Sequence, residues 1–165
     1  MRQSSGGSVA AADLMSEAVD VFQAATRILV GVALRSLDLV AGEVSLAQFR
    51  MLAVLGELGR DASAQVARSL GLEPSTVSRL ADRLVAAGYV TRGRDPRHRS
   101  VVTLELTGRG QALVDGVTTW RRNELARILG QLGPGELAHA TALLRAVVAA
   151  AGEGYGAVAR GPVPL

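Results

Sequence analysis

The stretch Ser63–Thr107, SAQVARSLGLEPSTVSRLADRLVAAGYVTRGRDPRHRSVVTLELT, decides the fold of this chain. It contains a short helix, a glycine turn, a second helix rich in Ser, Thr and Arg, and two strands joined by the Arg-rich loop Arg92–Arg99. In this order the elements form a winged helix-turn-helix, which places one helix in a DNA major groove and a basic hairpin beside it. The stretch therefore predicts a mainly α fold with a small β-hairpin wing, and it favours transcriptional control as the function.

Local signals set the limits of the two helices in this stretch. The first is predicted over Ala64–Leu70, because Gly71 follows it where helices often end in a left-handed residue. The second begins at Pro74, whose fixed φ and missing N–H suit the first helical position, and it ends at Gly88. One apolar stripe of this second helix is predicted to face the core, and it consists of Val77, Leu80, Ala81 and Leu84.

The opposite face of the second helix is polar and is predicted to meet DNA. Its candidate binding residues are Ser75, Thr76, Ser78, Arg79 and Arg83, with Asp82 beside them. Short hydroxyls and free N–H groups at a helix N-terminus can bind phosphate. One turn further in, Arg79 can donate two hydrogen bonds to O6 and N7 of guanine, so it is the best candidate for reading a base. The alternative is that Ser75 and Thr76 only cap the helix and that Arg79 pairs with Asp82.

Two strands are predicted next, over Tyr89–Arg92 and Ser100–Leu106. Alternation along the second strand predicts an inward set and an outward set, namely Val102, Leu104 and Leu106 against Val101, Thr103 and Glu105. The loop between the strands is the predicted wing. Its candidate DNA-binding residues are Arg92, Arg94, Asp95, Arg97 and Arg99.

The positive charge of the chain is concentrated in the second helix and the wing, which together form the predicted DNA-reading head. All 18 basic residues are arginines, and Arg79–Arg99 holds six of them against two aspartates, a net charge of +4. The whole chain carries +3, so the remainder has a net charge of −1. A confined positive patch is typical of a nucleic-acid binder, because phosphate neutralisation releases counterions. The alternative is a solvated arginine loop without a partner.

Helices are predicted on both sides of the winged part, residues 45–107. A capping box of Ser45 and Gln48, with a hydrophobic staple of Val44 and Phe49, begins a helix at Leu46 that runs to Gly59. Apolar residues at helical spacing predict long helices within residues 13–41 and 108–151. A monomer would expose their apolar faces, whereas two-fold symmetry would bury them, so these are predicted dimerisation helices of a homodimer. The alternative is a compact monomer.

The remaining features of the sequence are simple. Residues 13–151 are predicted as one domain, between a flexible arm at 1–12 and a disordered tail at 152–165. No apolar run reaches the roughly 18 residues of a membrane span, and the N-terminus has no apolar signal region, so a cytoplasmic protein is expected. With no Cys and only two distant His residues, we expect no catalytic residues, no metal site and no cofactor, and an enzyme is disfavoured.

The chain resembles the MarR family of bacterial regulators. The resemblance rests on LAQFRMLAVL, LGLEPSTVSRLADRLVAAGYVTR and RDPRHRSVVTLELTGRG with the helices on both flanks, and it covers residues 14–150. It implies a homodimer whose terminal helices interlock and whose winged domains read neighbouring major grooves of a pseudo-palindrome. It also implies a wing arginine, Arg99, in the minor groove and Asp95 as the residue that orients the loop. The family wing commonly reads Asp-Pro-x-Asp-Arg-Arg, and here His98 replaces the second Asp and Ser100 the last Arg.

The function expected from these observations is a sequence-specific, DNA-binding transcriptional regulator. The resemblance implies a repressor relieved by a small molecule, since many relatives bind phenolic or other aromatic anions in the crevice between the dimerisation helices and the winged domain. Any residues that bind such an effector are not readable from the sequence. The alternative is a winged-helix dimer that serves as a protein interaction module and does not read DNA.

Overall fold

A computed structural model describes residues 5–159 of the chain, with side chains described for residues 10–152. This part is mainly helical, with a small antiparallel sheet, so the predicted fold class is confirmed. The elements in chain order are α1 (Ser5–Leu37), a 3-10 turn (Asp38–Val40), α2 (Leu46–Leu58), β1 (Asp61–Ala62), α3 (Ser63–Leu70), α4 (Pro74–Ala86), β2 (Val90–Arg94), β3 (Val102–Leu106), α5 (Gly108–Leu129) and α6 (Pro134–Ala159).

The predicted start of α2 is confirmed in detail. The Ser45 hydroxyl accepts a hydrogen bond from the Gln48 N–H at 3.3 Å, and the Gln48 side chain accepts from the Ser45 N–H at 2.8 Å. Val44 and Phe49 are both buried in the core. The reciprocal bonds satisfy two N–H groups that a bare helix end leaves free, which is why α2 begins at Leu46.

Both helices of the helix-turn-helix end at a glycine, as predicted, and both glycines have positive φ. Gly71 has φ 63° and Gly88 has φ 76°. After Gly71 the Leu72 N–H donates to the Ala67 carbonyl at 3.0 Å, and after Gly88 the Tyr89 N–H donates to the Leu84 carbonyl at 2.9 Å. These backward bonds satisfy the last carbonyls of each helix and turn the chain sharply. The predicted inward stripe of α4 is buried, with Val77, Leu80, Ala81 and Leu84 each at most 9% exposed.

The sheet contains one strand that the sequence did not predict. Its order is β1–β3–β2, and β1 pairs with β3 through Asp61↔Leu104 and Ala62↔Thr103. A strand of two residues carries no alternating pattern, so only its pairing reveals it. β2 reaches Arg94, two residues beyond the predicted limit, and β3 begins at Val102, because the Val101 N–H donates to the His98 carbonyl within the loop.

The predicted outward position of Thr103 is wrong. Thr103 is only 6% exposed, although it lies on the sheet face opposite the buried Leu104. The Arg60 side chain lies against it, with Nε 3.4 Å from the Thr103 hydroxyl. A residue distant in sequence therefore covers a face that the alternation alone assigned to solvent.

Both terminal helices extend beyond their predicted limits. α1 begins at Ser5, where a flexible arm was expected over residues 1–12, because Ala10, Ala11 and Ala12 are strong helix formers. The helical chain of α6 passes a kink at Gly152, with φ 68° and ψ −176°, and continues to Ala159, within the expected tail. Residues 1–4 and 160–165, which belong to the same two expectations, lie outside the described residues.

The core lies between α2, α3, α4, the sheet and the first half of α5. Met51, Leu52, Val66 and Leu104 are fully buried in it. On its outer side α1 packs against α5, where the fully buried Ser36 accepts a hydrogen bond from Arg121 Nε at 2.6 Å. Burial lowers the pKa of Arg121. The winged part thus has its own core, while α1 and α6 carry most of the exposed apolar side chains.

Gly110 is predicted to be the glycine least tolerant of a side chain. A Cβ at this position would overlap the Tyr89 carbonyl oxygen and lie 3.2 Å from a Leu106 methyl carbon. Because backbone on both sides is fixed, Gly110→Ala should lower the free energy of unfolding by at least about 2 kcal/mol. Urea unfolding at one fixed protein concentration measures this change.

The matched control is Gly116→Ala in the same helix, where a Cβ would meet nothing within 4 Å. Alanine favours the helix more than glycine, so this variant should be as stable as the parent or more stable, by up to about 1 kcal/mol. Equal stability of the Gly110→Ala variant and the parent would show that α5 does not approach Tyr89 as closely as described.

Candidate nucleic-acid interface

The outward face of α4 is polar and accessible. Ser75, Ser78, Arg79 and Arg83 are exposed, and Thr76 is half-buried. The N-cap residue is Glu73, and no side chain caps the helix. The alternative that Ser75 and Thr76 serve as caps is therefore wrong, and their hydroxyls lie just inside the helix N-terminus, where N–H groups favour anions.

Arg79 does not pair with Asp82. The Asp82 carboxylate accepts from Arg92 at 2.8 Å instead, and this ion pair joins α4 to β2. Within the described part of the chain, the Arg79 guanidinium makes one long hydrogen bond, 3.4 Å to the Thr76 hydroxyl. Its donors are therefore largely available for a partner outside the chain.

Asp95 organises the tip of the wing. One of its carboxylate oxygens accepts hydrogen bonds from the Arg97 N–H at 2.7 Å and the His98 N–H at 3.0 Å. These two bonds lower the pKa of Asp95, because they favour the ionised carboxylate. The Asp95 N–H also donates to the Val101 carbonyl at 3.0 Å, which closes the loop at its base. Asp95 thus shapes the loop from within, the role that the resemblance implied.

The four arginines of the wing fall into two groups. Arg92 is held by Asp82, and the Arg94 guanidinium donates to the Arg99 carbonyl at 2.8 Å. The side chains of Arg97 and Arg99 are exposed and have no hydrogen-bond or ion-pair partner among the described residues. The structure therefore assigns Arg92 and Arg94 to holding the wing and leaves Arg97 and Arg99 as its available cations.

Arg60 was not singled out from the sequence. It follows Gly59 at the end of α2, and no motif surrounds it. Its Nη2 donates to the Arg94 carbonyl at 2.9 Å, and its Nε lies 3.4 Å from the Thr103 hydroxyl. Both partners are far along the chain, so no local signal could have revealed this position.

A second cluster that the sequence did not reveal holds α5 against the end of α4. The Arg109 guanidinium lies 4.3 Å from the centre of the Tyr89 ring, donates to the Tyr89 hydroxyl at 2.8 Å and donates to the Ala87 carbonyl at 3.1 Å. The Tyr89 hydroxyl donates to the Glu43 carboxylate at 2.5 Å. The bond to Glu43, together with burial, raises the pKa of Tyr89.

A cavity of about 380 Å³ opens beside this cluster. Its walls come from the 3-10 turn, the following loop, Tyr89 and the first half of α5, and they include Val40, Glu43, Arg109, Leu113 and Val117. Most of the wall is apolar, while Arg109 supplies a positive charge and Glu43 a negative one. Cavities of this composition suit small molecules with an apolar body and a few polar groups.

The described residues contain neither a group that could hold a metal ion nor a helix that could cross a membrane. Among residues 10–152, no group of three or more His, Asp or Glu residues could hold a metal ion. Over residues 5–159, none of the helices has the length and apolar content needed to cross a membrane. The candidate functional site is the accessible face of arginines and hydroxyls on α4 and the wing.

Comparison with known proteins agrees with this geometry. The sequence model described as "MarR family" matches residues 43–99, which contain the helix-turn-helix and most of the wing. The chain is also similar to the HTH-type transcriptional repressor MdtR of Bacillus subtilis, with 33% identity over 104 residues, 61% of this chain and 67% of that protein. The chain belongs to the MarR family.

The chain is similar to two further proteins, one of which superposes over most of its length. The HTH-type transcriptional repressor NicR of Pseudomonas putida is 30% identical over 101 residues, which are 61% of this chain and 64% of that protein. The crystal structure of RV1404 from Mycobacterium tuberculosis superposes with a TM-score of 0.75 at 32% identity, over 92% of this chain and 98% of that one. As a MarR family member the protein is a transcriptional regulator and not an enzyme, as the sequence predicted.

Proposed function

We propose that this MarR family protein is a sequence-specific repressor that binds a pseudo-palindromic DNA operator as a homodimer. The observation that carries the proposal is that several arginines on α4 and the wing are exposed and available for a partner. Arg79, Arg83, Arg97 and Arg99 are exposed, while Arg92 and Arg94 fix the wing beside them. An exposed helix with hydroxyls at its N-terminus and arginines further in fits a major groove, and a basic hairpin fits the flanking backbone.

In this proposal the site residues have distinct roles. Ser75, Thr76 and Ser78 bind phosphate or base edges near the helix N-terminus, and Arg79 reads a guanine with Arg83 beside it. Arg99 enters the minor groove and Arg97 binds phosphate, while Asp95 and Arg94 hold the loop. Both curated relatives are named as transcriptional repressors, which supports repression as the direction of control.

Dimerisation is proposed because α6 and the N-terminal half of α1 carry many exposed apolar side chains within the described part of the chain. Between Pro134 and Gly152 the side chains of α6 are exposed, apart from a half-buried Ala140, and Val148 is 73% exposed. Leu14 on α1 is 68% exposed, and the open, mostly apolar face of this helix continues past Phe22. Apolar faces of this extent mark interaction surfaces, and a second copy supplies a matching one by symmetry.

The winged part and the flanking helices are proposed to have different roles, because the winged part has its own buried core while the flanking helices carry most of the exposed apolar side chains. Residues 45–107 form the winged part that meets DNA, and residues 13–41 and 108–151 form the dimerisation helices.

We further propose that an aromatic or phenolic anion binds in the 380 Å³ cavity, where Arg109 can meet its charge. Because Arg109 also donates hydrogen bonds to Tyr89 and to the Ala87 carbonyl at the end of α4, a ligand in this cavity can displace α4. A regulator of this kind acts in the cytoplasm, where its operator lies.

The decisive experiment is an electrophoretic mobility shift assay. Many regulators of this kind control their own gene, so the probe is the intergenic DNA next to this gene, compared with a scrambled duplex at two salt concentrations. We expect a shift of the intergenic probe at nanomolar protein, with typical specific affinities of about 10⁻⁸ to 10⁻¹¹ M. If neither that probe nor a library of random duplexes is bound, DNA reading is excluded and the interaction-module alternative stands.

The wing is predicted to contribute phosphate affinity and groove shape, with little reading of single bases. Arg99→Ala in both subunits should weaken binding to every duplex, because a narrow minor groove attracts arginine through its potential. The slope of log K against log salt should fall in magnitude by about 0.9 for each phosphate that the variant no longer neutralises, or about 2 per dimer. Titrations at four or five salt concentrations measure the slope.

The matched control is Arg145→Ala in α6, which removes an equal charge outside the winged part. Provided that sedimentation shows this variant to be a dimer like the parent, the slope should be unchanged. If Arg99→Ala does not weaken binding, another wing arginine enters the minor groove. If Arg99→Ala binds like the parent while Arg97→Ala abolishes binding, the register of the wing tip is shifted, with His98 and Ser100 as the sequence differences responsible.

A further inference from the structure

We propose that Arg60 fixes the position of the wing relative to the helix-turn-helix, and is thereby a positioning residue for DNA binding. Its effect on DNA affinity rests on the proposed function, whereas its effect on the wing itself does not. Arg60 lies in the two-residue connection between α2 and β1, outside the reading helix and outside the wing.

The Arg60 guanidinium connects to both strands of the hairpin. Its Nη2 donates to the carbonyl of Arg94, the last residue of β2, at 2.9 Å. Its Nε lies 3.4 Å from the hydroxyl of Thr103 on β3. The planar fork of arginine can serve two acceptors at fixed separation, which the single ammonium of lysine does less well.

The bonds of Arg60 lie where the sheet narrows from three strands to two. β1 pairs with β3 only as far as Thr103, so β3 loses its second neighbour beyond that residue. From Thr103 outward the wing is a two-stranded hairpin, and isolated hairpins of two strands are marginally stable in water. Arg60 binds the hairpin at the point where the pairing of β1 with β3 ends. It thereby adds one further bond between the hairpin and the end of α2.

Gly93 provides the space for the guanidinium. Gly93 is the partner of Thr103 in the β2–β3 ladder. A Cβ at Gly93 would lie 3.0 Å from the Thr103 hydroxyl oxygen and 3.3 Å from Arg60 Nη2. Because most residues would crowd these two groups, glycine at this position allows Arg60 to lie across the strand.

The connection continues from Arg60 to the tip of the wing. Arg94, whose carbonyl accepts from Arg60, donates through its own guanidinium to the Arg99 carbonyl at 2.8 Å. Asp95 follows directly and holds the turn through the Arg97 and His98 N–H groups. A movement of Arg60 therefore reaches the residue that we propose enters the minor groove.

The first test uses the free protein without DNA. Arg60→Ala should raise amide hydrogen exchange of Asp95 and Val101 roughly tenfold, since removal of charge-assisted bonds to the hairpin favours its local opening. The control Arg68→Ala removes an equal charge from α3, where Arg68 bonds only Gln65 among the described side chains, and should leave both amides unchanged. Gly93→Ala should act in the same direction as Arg60→Ala by crowding the guanidinium. Unchanged exchange in Arg60→Ala overturns the proposal.

The second test measures DNA affinity of the same variants across salt. A positioning residue predicts an affinity decrease of roughly tenfold with an unchanged salt slope, because the phosphates that the protein neutralises stay the same. A slope that falls by about 0.9 per subunit would mean that Arg60 binds phosphate directly and would overturn the positioning role. If the parent protein binds no DNA, the proposed function fails, and the exchange experiment alone decides whether Arg60 holds the wing.

Discussion

Arg79→Ala should abolish most of the discrimination between the operator and a scrambled duplex. Arg79 is exposed on the outer face of α4, one turn inside the N-terminus, and its long bond to Thr76 leaves donors free. A bidentate contact to guanine is worth about 1 to 3 kcal/mol of discrimination, and a symmetric dimer makes two of them. Specific affinity should therefore fall by roughly 30- to 10⁴-fold, while affinity for scrambled DNA changes little.

Competition titrations with both duplexes at one salt concentration measure this ratio. Arg79→Lys keeps the charge and removes the planar fork, so it should also abolish discrimination while keeping non-specific affinity. Arg68→Ala, which removes an exposed arginine of α3, is the control for removal of charge. If Arg79→Ala weakens both duplexes equally, Arg79 binds phosphate, and the base-reading residue lies among Ser75, Thr76, Ser78 and Arg83.

Leu144→Glu with Val148→Glu should convert the dimer to a monomer and abolish operator binding. Leu144 is 49% and Val148 73% exposed in the single chain, and they lie four residues apart on one face of α6. In a two-fold interface the double variant buries four carboxylates without partners, each costing at least about 3 kcal/mol. Sedimentation equilibrium should show the parent at twice 17.1 kDa and the variant at 17.1 kDa.

The control for this substitution is His139→Glu, which adds a carboxylate to the opposite face of the same helix and should leave the dimer intact. Circular dichroism then shows whether the winged part, which has its own core, remains folded in the double variant. A parent that sediments as a folded monomer at micromolar concentration would contradict the proposed dimer, as would a double variant that stays dimeric.

The sequence by itself determined the features that depend on neighbouring residues. The capping box at Ser45, the helix ends at Gly71 and Gly88, and the start of α4 at Pro74 were all predicted and are all found. Each is decided within about one helical turn, because capping bonds and backbone preferences act between residues a few positions apart. The buried stripe of α4 was equally readable, because a 3.6-residue period fixes which side chains share a face.

Only the tertiary structure decided how the reading head is held. The pairing of Arg92 with Asp82, the burial of Thr103 and the existence of β1 had no local signal. Arg60 and Thr103 are 43 residues apart, and Arg60 and Arg94 are 34 apart, so their contact arises only when β1 brings the end of α2 to the hairpin. Spacing along a chain indicates helix and strand faces, whereas contacts between elements depend on how those faces pack.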